Sequence, residues 1–407
     1  MDIDMIKKEM KILLRGTAEI ISQKDLEEKL IESKKTGKPL KIKLGIDPTA
    51  PSVHLGFAVV LRKMRQFQDM GHRIQLIIGD FTARVGDPTG KSETRKVLTP
   101  EEITENARTY KDQLSLILDP EKTDVYFNSQ WLAPLNFAEI IGLMSKYTVA
   151  RILERDDFTN RLKEGRPLGM HEILYPLMQG YDSVALESDL EMGGTDQKFN
   201  ILVGRNLQRE YGQEPQIVFL MPILEGLDGV LKMSKSYGNY VGITDPPNDM
   251  FGKLMSIPDK LISRYFELCT DVPMDEVRKM ESDCKSGEMN PRDAKMRLAR
   301  EIIAIYHDSS KARAAQDEFL KVFSRHEMPS DIPEYAVPDS EKKDGKVWIV
   351  KLVELAGLAN SKREARRLIE RGSVKLNGEK LESPKADIEI KGEMILQVGS
   401  RKFVKII

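Results

Sequence analysis

Apolar and polar residues follow two different periods along the first 230 residues of the chain. Short apolar runs predict four strands, at residues 40–47, 73–80, 183–188 and 215–220. Between the first two strands, a stripe of Leu55, Val59, Arg62 and Gln66 recurs at helical spacing and predicts a helix. Strands that alternate with helices are typical of a parallel sheet covered on both faces. The pattern therefore predicts an α/β fold with a doubly wound parallel sheet.

The rest of the chain changes character twice. Residues 248–323 are rich in Met, Lys and Glu and predict helices without a convincing strand. Residues 324–345 are rich in Pro, Asp and Ser, which is typical of a linker. We therefore expect a catalytic α/β domain, an α-helical domain, a linker and a small α+β domain, at residues 1–240, 241–325, 326–345 and 346–407.

Charge is balanced overall but not along the chain. The 407 residues include 63 Lys and Arg and 64 Asp and Glu, for a formal net charge of −1. Residues 346–407 hold 14 basic and 8 acidic residues, whereas the preceding residues hold 49 basic and 56 acidic. A basic tail on an acidic body predicts an appended module that meets an anion.

The cysteines and the chain start bear on the compartment. Only Cys269 and Cys284 occur, with neither a metal-ligand spacing nor a disulfide framework. The charged start lacks the apolar region of a signal peptide, and no apolar run is long enough to span a bilayer. We therefore expect a soluble cytoplasmic protein with no metal site of its own and no membrane or DNA partner.

The end of the first predicted strand has the features of an anion site. The segment GIDPTAPSVHLGF, residues 45–57, places Thr49 before the next helix and His54 at its start. A helix N-terminus offers free N–H groups to phosphate, and Gly56 lets the backbone approach a ligand closely. In a doubly wound sheet, ligands bind at this edge. The alternative is an ordinary polar helix start, which for an isolated His is the commoner case.

A second segment, GVLKMSKSYGN at residues 229–239, carries two lysines in a glycine-flanked loop. Lys232 and Lys235 flank Met233 and Ser234. One interpretation is a solvated surface loop. The other is a mobile clamp whose two ammonium groups neutralise a polyphosphate. The loop alone does not decide between them, but an anion site upstream favours the clamp.

Several segments together resemble one enzyme family. HLGF resembles the HIGH motif, and KMSKS at residues 232–236 matches the second motif of class I aminoacyl-tRNA synthetases. GIDPTA, GDPTGKSETR, LYPLMQGYDSVAL and GGTDQKFN are similar to strings of bacterial-type tyrosyl-tRNA synthetases. The resemblance covers nearly the whole chain and implies a Rossmann-like catalytic domain. It also implies a homodimer whose contact involves an insertion at about residues 110–185, and a helical domain that faces the anticodon.

The resemblance implies a two-step reaction. In the first step, L-tyrosine and ATP, which binds with Mg²⁺, give tyrosyl-adenylate and pyrophosphate. In the second step, the tyrosine is transferred to the 3′ end of tRNA(Tyr). The residues implied for catalysis are Thr49, His54, Lys232 and Lys235. Those implied for ATP binding are Gly56, Phe57, Gly194, Asp196, Met233, Ser234 and Lys235, with Gly193 giving the backbone close access.

The residues implied for tyrosine binding are Lys43, Asp87, Tyr175, Gln179, Asp182 and Gln197. The spacing of Tyr175, Gln179 and Asp182 also predicts that these three share one face of a helix. By the resemblance, Asp87, Tyr175 and Gln179 hold the ammonium group, and Asp182 accepts the hydrogen bond of the phenol. Gln197 meets the carboxylate end, and Asp196 meets the ribose.

Two positions depart from the family's commoner pattern. Phe57 stands in place of the second His of HIGH, so the interaction of that His with the nucleotide is absent or is supplied by apolar packing. Lys43 stands where many relatives have a Tyr that helps to bind the phenol. Because Lys has donors and no acceptor, it either donates to the phenol oxygen or pairs with Asp80 at the end of the next strand.

The basic tail resembles the S-four-like RNA-binding module at residues 355–381. Ser361 is placed to cap a helix whose cationic residues are suited to phosphates: Lys362, Arg363, Arg366, Arg367 and Arg371. Such clusters hold the RNA backbone and sense shape more than sequence. The alternative is a basic surface that only aids solubility.

Three rival functions remain open. A tryptophan-specific relative is disfavoured, because Asp182 behind a Tyr–Gln helix face favours a phenol over an indole and the basic tail favours tyrosine too. An RNA-binding protein derived from a synthetase would have no need of an intact lysine loop. A nucleotidyltransferase without an RNA substrate would have no use for the helical region and the basic tail.

Overall fold

The structure is a computed structural model of the chain. It describes residues 3–47, 53–88, 99, 102, 112–323, 332–399 and 402–407. The chain divides at Asp308 into two compact units. In the described part of the chain, no helix is both long and apolar enough to cross a membrane.

The first unit is built around a six-stranded sheet with the order β1-β6-β5-β2-β3-β4. Neighbouring strands are parallel except β1, which is antiparallel to β6. The strands are β1 Glu19–Ile21, β2 Lys41–Ile46, β3 Arg73–Ile78, β4 Thr123–Phe127, β5 Leu190–Gly194 and β6 Ile217–Met221. The doubly wound parallel sheet predicted from the sequence is confirmed.

Helices and short 3₁₀ turns connect and cover these strands. The helices are α1 Ile3–Leu14, α2 Gln23–Thr36, α3 Leu55–Asp69, α4 Ser129–Leu132, α5 Phe137–Met144, α6 Val149–Ile152, α7 Asp156–Lys163, α8 Met170–Leu186 and α9 Lys198–Glu210, followed by α10 Pro247–Met255, α11 Ile262–Cys269, α12 Met274–Ser286 and α13 Pro291–Tyr306. The 3₁₀ turns are Thr82–Arg84, Pro120–Lys122, Thr195–Gln197, Lys235–Tyr237 and Asp259–Leu261.

The strand order creates a crevice beside β2. The chain runs from β2 outwards to β3 and β4 on one side, and later through β5 and β6 on the other. The connections that leave β2 and β5 therefore run to opposite sides of the sheet. This leaves a crevice between them at the carboxyl ends of the two strands. β6 is buried along its whole length, as expected for a strand covered on both faces.

One strand prediction is wrong. The pattern of residues 183–188 predicts a strand, but they include the last turns of α8, which ends at Leu186. Val184 continues the buried helical series of Leu177 and Gly180, so helical packing decides the conformation. Glu187 then takes a left-handed conformation with φ of 46°, and β5 begins three residues later.

The second unit begins at Ser309 and contains α14 Ser309–Phe323 and a five-stranded sheet with the order β10-β9-β12-β13-β7. Its remaining elements are β7 Glu334–Tyr335, the 3₁₀ turn Asp339–Glu341, β8 Lys346–Trp348, α15 Ile349–Leu355, α16 Lys362–Glu370, β9 Val374–Leu376, β10 Glu379–Lys380, β11 Asp387–Glu389, β12 Met394–Val398 and β13 Lys402–Ile406. Asn377 and Gly378 join β9 to β10 with φ of 49° and 89°, as a tight two-residue hairpin requires.

The predicted linker needs correction. Within residues 326–345, Glu334–Tyr335 form a strand parallel to β13, and Val337 is buried in the core of the second unit. The Pro and Asp residues of this segment are typical of a linker. Tyr335 and Val337 nevertheless pack in the core of the second unit, which the composition of the segment does not indicate. The helix at residues 309–323, which the sequence pattern places in the helical domain, also groups with the second unit.

Candidate functional site

A cavity of about 370 Å³ lies at the carboxyl ends of β2 and β5. Its wall includes Gly45 near the end of β2, Asp47 just after that strand, and Gly193 and Gly194 at the end of β5. This is the crevice that the strand order creates. Its remaining wall comes from the start of α3, one face of α8 and the loop that carries Lys232.

His54 caps the N-terminus of α3 at the cavity. Its Nδ1 accepts a hydrogen bond from the Phe57 backbone N–H at 3.3 Å. Burial, together with the charges of Lys235 and Lys232, lowers the pKa of His54 to about 4. A neutral imidazole whose Nδ1 is the acceptor carries its proton on Nε2. His54 is therefore a neutral hydrogen-bond donor at this helix N-terminus.

The lysine loop is anchored on the same helix start. Met233 is buried, and its Sδ lies 3.3 Å from the Gly56 backbone N. A Cβ at position 56 would lie 3.2 Å from both Met233 Cβ and His54 Nδ1, so a larger residue would push these neighbours outwards by a few tenths of an ångström. Beyond the loop, the Leu55 N–H donates to the Val241 carbonyl at 2.9 Å. The loop is thus held against α3 between its two lysines, at Met233, and again after them, at Val241.

The two lysines of the loop have different surroundings. Lys232 lines the cavity, and its Nζ lies 3.5 Å from Asp196 Oδ2. Lys235 does not line the cavity, and its Nζ lies 5.9 Å from the centre of the Tyr240 ring. Lys253 approaches the same ring at 5.0 Å. Tyr240 thus lies against two ammonium groups, those of Lys235 and Lys253.

Acceptor oxygens face one side of the cavity. The Tyr175 hydroxyl donates to Asp47 Oδ2 at 2.8 Å, and burial together with neighbouring carboxylates raises the pKa of Tyr175. Asp87 accepts a hydrogen bond from Gln197 Nε2 at 2.8 Å, and an Arg155 guanidinium nitrogen lies 3.7 Å from its other oxygen. A cation is the ligand that fits this wall, because its carboxylates and the phenol oxygen are acceptors.

Asp182 forms the deepest polar point of the cavity and is fully buried. Its Oδ1 accepts a hydrogen bond from Trp131 Nε1 at 2.8 Å, and its Oδ2 lies 3.4 Å from Asn128 Nδ2. Burial raises the pKa of Asp182 to about 7, although the charge of Lys43 and the two hydrogen bonds each lower it. A ligand hydroxyl that donates to this carboxylate stabilises its charged form further.

The pairing of Lys43 with Asp80 is wrong. Lys43 is completely buried behind the cavity wall, and its Nζ lies 3.0 Å from Glu191 Oε1. The ammonium also donates to the Gln179 carbonyl at 2.8 Å and to Ser183 Oγ at 2.7 Å. The register places Lys43 beside Glu191 on β5, whereas Asp80 lies beyond the end of β3 and accepts from Ser129 N. Its three donors are engaged, which leaves none for a ligand.

The structure brings most of the predicted site residues together. Those that line the cavity are His54, Gly56, Phe57, Asp87, Tyr175, Gln179, Asp182, Gly193, Gly194, Asp196, Gln197, Lys232, Met233 and Ser234. Lys43 and Lys235 lie outside this wall, and Thr49 falls outside the described residues. Tyr175, Gln179 and Asp182 share one face of α8, as their spacing predicts.

Three residues that shape the site are absent from the sequence prediction: Asp47, Asn128 and Trp131. Asp47 lies inside the GIDPTA motif, but the motif by itself gives it no role. Asn128 follows β4 directly, and the carboxyl end of a parallel strand is where a polar ligand residue is expected. That signal depends on β4, which the apolar pattern does not predict.

The family follows from comparison with known proteins. A model described as tRNA synthetases class I (W and Y) matches residues 34–324, and a model of the S4 domain matches residues 347–395. The chain belongs to the class I tRNA synthetases of the tryptophan and tyrosine group. The S-four-like module expected in the basic tail is thereby confirmed.

Within this family, the chain is similar to proteins named tyrosine–tRNA ligase. It is 56% identical over 401 residues to that of Moorella thermoacetica, which covers 98% of this chain and 96% of the relative. It is 53% identical over 400 residues to that of Thermotoga maritima, which covers 98% and 97%. The resemblance to bacterial tyrosyl-tRNA synthetases that the motifs indicated is confirmed.

Two solved structures share the fold. A C-terminally truncated mitochondrial tyrosyl-tRNA synthetase of Aspergillus nidulans matches with a TM-score of 0.63 at 21% identity, over 78% of this chain and 94% of that chain. The tyrosyl-tRNA synthetase of Archaeoglobus fulgidus, complexed with L-tyrosine, matches with a TM-score of 0.61 at 24% identity, over 76% and 99%.

The surroundings of Asp182 yield a prediction about its titration. Replacing Trp131 with Phe removes the N–H that stabilises the ionised carboxylate, so the pKa of Asp182 should rise above its value of about 7. We expect a rise of about one to two units, the equivalent of one hydrogen bond to a charged group. Carbon-13 NMR of labelled aspartate across a pH series measures it.

A matched control removes a hydroxyl near the same indole. Tyr126 lies against Trp131, with ring centres 6.3 Å apart, and Tyr126→Phe should leave the Asp182 titration in place. An unchanged or lowered pKa in Trp131→Phe would contradict the assigned hydrogen bond.

Proposed function

We propose that this chain is a tyrosine–tRNA ligase that activates L-tyrosine with ATP and transfers it to tRNA(Tyr). The observation that carries the proposal is the buried Asp182 at the end of a cavity whose other wall offers acceptors for an ammonium group. Tyrosine has a matching donor at each end, its phenol hydroxyl for Asp182 and its ammonium group for the acceptors of the other wall. The identity of the relatives and the S4 match support the same assignment.

Amino-acid recognition divides between the two ends of the cavity. Asp87, Tyr175 and Gln179 hold the substrate ammonium, and Gln197 lies beside its carboxylate. Asp182 accepts the phenol hydrogen bond, held in place by Trp131. A phenylalanine substrate presents no donor to this carboxylate, so the hydrogen bond that a phenol would give it is lost at a cost.

Nucleotide recognition uses the opposite mouth of the cavity. The ribose binds Asp196, and the backbone at Gly193 and Gly194 lies against the nucleotide. His54 donates from Nε2 to the phosphates at the N-terminus of α3, where the helix dipole also favours negative charge. Phe57 lines the cavity and gives the nucleotide an apolar contact in place of a second histidine.

Mg²⁺ enters as part of the nucleotide co-substrate. Asp47 and Asp87 already accept hydrogen bonds from Tyr175 and Gln197, and Asp196 lies beside Lys232. These carboxylates are dispersed around the cavity and bound to partners, which fits a metal that arrives on the phosphates. The chain's own residues contribute positioning and charge stabilisation as pyrophosphate departs.

The experiment that tests the function is ATP–pyrophosphate exchange with tyrosine, tryptophan and phenylalanine in parallel. Exchange that depends on tyrosine alone supports the proposal. Exchange with tryptophan in preference would establish the tryptophan-specific alternative, and no exchange with any of them would favour an RNA-binding protein without activation chemistry. The predicted cytoplasmic location remains part of this proposal.

Asp182 should control the choice between tyrosine and phenylalanine. We expect Asp182→Ala to lower the ratio of kcat/KM for the two substrates at least tenfold, and on the order of 100-fold, because a hydrogen bond to a charged group is removed. Parallel exchange assays measure this ratio. Asn128→Ala is the control, since it removes the 3.4 Å contact, together with the bonds of Asn128 to Phe81 N and Thr82 Oγ1, but keeps the carboxylate. If the ratio of kcat/KM for tyrosine and phenylalanine is unchanged in Asp182→Ala, then Asp182 does not bind the phenol hydroxyl.

Lys235 should act in the rate rather than in substrate binding. We expect Lys235→Ala to slow adenylate formation by about 100- to 1,000-fold with little change in the affinity for tyrosine or ATP, because the ammonium engages departing charge only after the loop moves. Single-turnover kinetics measure this. Lys253→Ala, which removes the other cation on Tyr240, is the matched control. Normal adenylate formation without Lys235 would exclude it from the chemistry.

The S4 domain offers a cationic helix for the tRNA. Five basic residues of α16 and its end are exposed, and within the described residues none of them pairs with a carboxylate: Lys362, Arg363, Arg366, Arg367 and Arg371. Ser361 caps the helix by accepting from Glu364 N at 3.2 Å. Ala365 and Ile369 are buried, so the charges project from the opposite face. We propose that this face binds the phosphate backbone of tRNA(Tyr), and that the helical region beyond residue 240 faces its anticodon.

Removing charge from this face of α16 should weaken the binding of tRNA without affecting the activation of tyrosine. We expect Arg363→Ala with Arg367→Ala to leave tyrosine-dependent exchange intact but to weaken tRNA binding. The log–log salt slope should flatten by roughly 0.7–0.9 for each phosphate that the protein no longer neutralises. Filter binding across a salt series measures it. Lys391→Ala, at an exposed lysine paired with Glu389 at 2.9 Å, is the control. An unaltered salt slope would mean that α16 does not contact the RNA.

An exposed apolar surface supports the homodimer that the resemblance implies. Phe137, Ile141 and Met144 follow one another on one face of α5 and are exposed, Phe137 by 77%. Val149 and Met170 are exposed in the same expected insertion. Apolar residues at helical spacing on an outer face are typical of an interface. We propose that a second copy of the chain covers this surface.

The dimer proposal predicts the effect of one charge. We expect Ile141→Glu to shift the chain towards monomer at micromolar concentration, because a charge would be buried without a partner. Sedimentation velocity measures the change. Met5→Glu, at an exposed apolar residue of α1, should leave the mass unchanged. A wild-type chain that sediments as a monomer would contradict the proposal.

A further inference from the structure

A cluster of buried polar groups lies directly behind the cavity wall, outside the residues assigned above to substrate contact. Its centre is the ion pair of Lys43 and Glu191, whose side chains are 0% and 1% exposed. Both oxygens of Glu191 are engaged. Oε1 meets Lys43 Nζ at 3.0 Å and Gln179 Nε2 at 3.1 Å, and Oε2 meets Ser183 Oγ at 3.1 Å and Gln216 Nε2 at 2.6 Å.

The ion pair holds one cavity residue at two points. Lys43 donates to the backbone carbonyl of Gln179, and Glu191 accepts from the side-chain amide of the same residue. Gln179 lines the cavity from α8, while Lys43 and Glu191 are register partners on β2 and β5. The cluster therefore fastens a ligand-facing side chain to the two strands that form the crevice.

The hydrogen-bond direction fixes which atom of the amide faces the cavity. A carboxylate accepts and does not donate, so the NH₂ group of Gln179 must be the end that meets Glu191. Its carbonyl oxygen is then left for the cavity. The neighbouring Tyr175 follows the same rule, because its hydroxyl proton is committed to Asp47 and its oxygen lone pairs remain available. One N–H of the Gln179 amide and the Tyr175 hydroxyl proton are thus bound to carboxylates, which leaves the carbonyl oxygen and the phenol oxygen as acceptors for a ligand.

We propose that Glu191, supported by Lys43, is a positioning residue that selects the amino group of the substrate by fixing the orientation of the Gln179 amide. The inference rests on the proposed function, in which Gln179 is one of the ammonium acceptors. Without Glu191, the amide can rotate by half a turn and present its NH₂ group to the ammonium, which repels it. The loss of affinity is then specific for ligands that carry an amino group.

The test compares two ligands that differ in that group alone. L-Tyrosine and 3-(4-hydroxyphenyl)propionate, which is tyrosine without its amino group, are titrated against the full-length chain by calorimetry. In Glu191→Met, which removes the carboxylate acceptor at similar volume, we expect the Kd for tyrosine to rise roughly 10- to 100-fold, the loss of one hydrogen bond to a charged group, while the Kd for the analogue stays within about twofold.

Two further variants separate positioning from stability. Glu191→Met leaves a buried ammonium without its counter-ion. The double change Lys43→Met with Glu191→Met removes both charges at similar volume and should give the same selective loss of tyrosine affinity. Ser183→Ala removes the hydroxyl between Lys43 and Glu191 but leaves the bond to Gln179. It should lower the Tm while keeping the preference for tyrosine.

Each result either supports or overturns the positioning role. A selective loss of tyrosine affinity in either Glu191 variant, with the preference kept in Ser183→Ala, supports it. Equal weakening of both ligands, or no weakening, would overturn it, because the cluster would then serve stability alone. If the wild-type chain binds tyrosine and the analogue equally, the ammonium site of the proposed function fails, and the positioning role fails with it. If one of the two Glu191 variants does not fold, the other decides.

Discussion

The position of β2 between β3 and β5 is the constraint on which the site depends. Parallel pairing on both sides sets the register, so that Lys43 lies beside Gln75 on one neighbour and Glu191 on the other. The chain leaves these strands in opposite directions, and a crevice opens at their carboxyl ends. A shift of β2 by one residue would turn Lys43 to the other face of the sheet and leave Glu191 buried without a counter-ion. The register that forms the cavity is thus also the one that satisfies the buried charges.

Motifs allowed much of the site to be predicted, and packing explains what they missed. The spacing of Tyr175, Gln179 and Asp182 was sufficient to place them on one helical face, because helical geometry is local. Lys43 could not be placed from its sequence neighbours, since its partner Glu191 lies 148 positions away and meets it only through strand pairing. Non-local pairing of this kind leaves no periodic signal in the sequence.

The fold shows the same division between local and non-local information. The helix start at Ser361 was predictable, because its cap and its first turn are adjacent in sequence. Residues 183–188 were mistaken for a strand, because two apolar residues two positions apart fit a strand as well as the end of a helix. Val184 is buried with Leu177 and Val203, which favours the helix over the strand. Val203 belongs to a different helix, α9, so this contact is not visible in the local sequence. In the same way, Tyr335 and Val337 belong to a folded sheet although their neighbours are typical of a linker.

The polar groups around the cavity share one logic, which joins binding to catalysis. At the inner end, the Tyr175 hydroxyl and the Gln179 amide donate to the carboxylates of Asp47 and Glu191, so their oxygens are left as acceptors for a cation. At the α3 end the arrangement is reversed, because His54 uses its acceptor Nδ1 for the helix cap and keeps Nε2–H as a donor. The low pKa of His54, caused by burial and the loop lysines, keeps it neutral, so it adds a hydrogen bond without repelling those lysines. The amino acid carries a positive ammonium group, and the polyphosphate is negative. A cavity with acceptors at one end and donors at the other holds these two charges apart and so orients both reactants before the reaction begins.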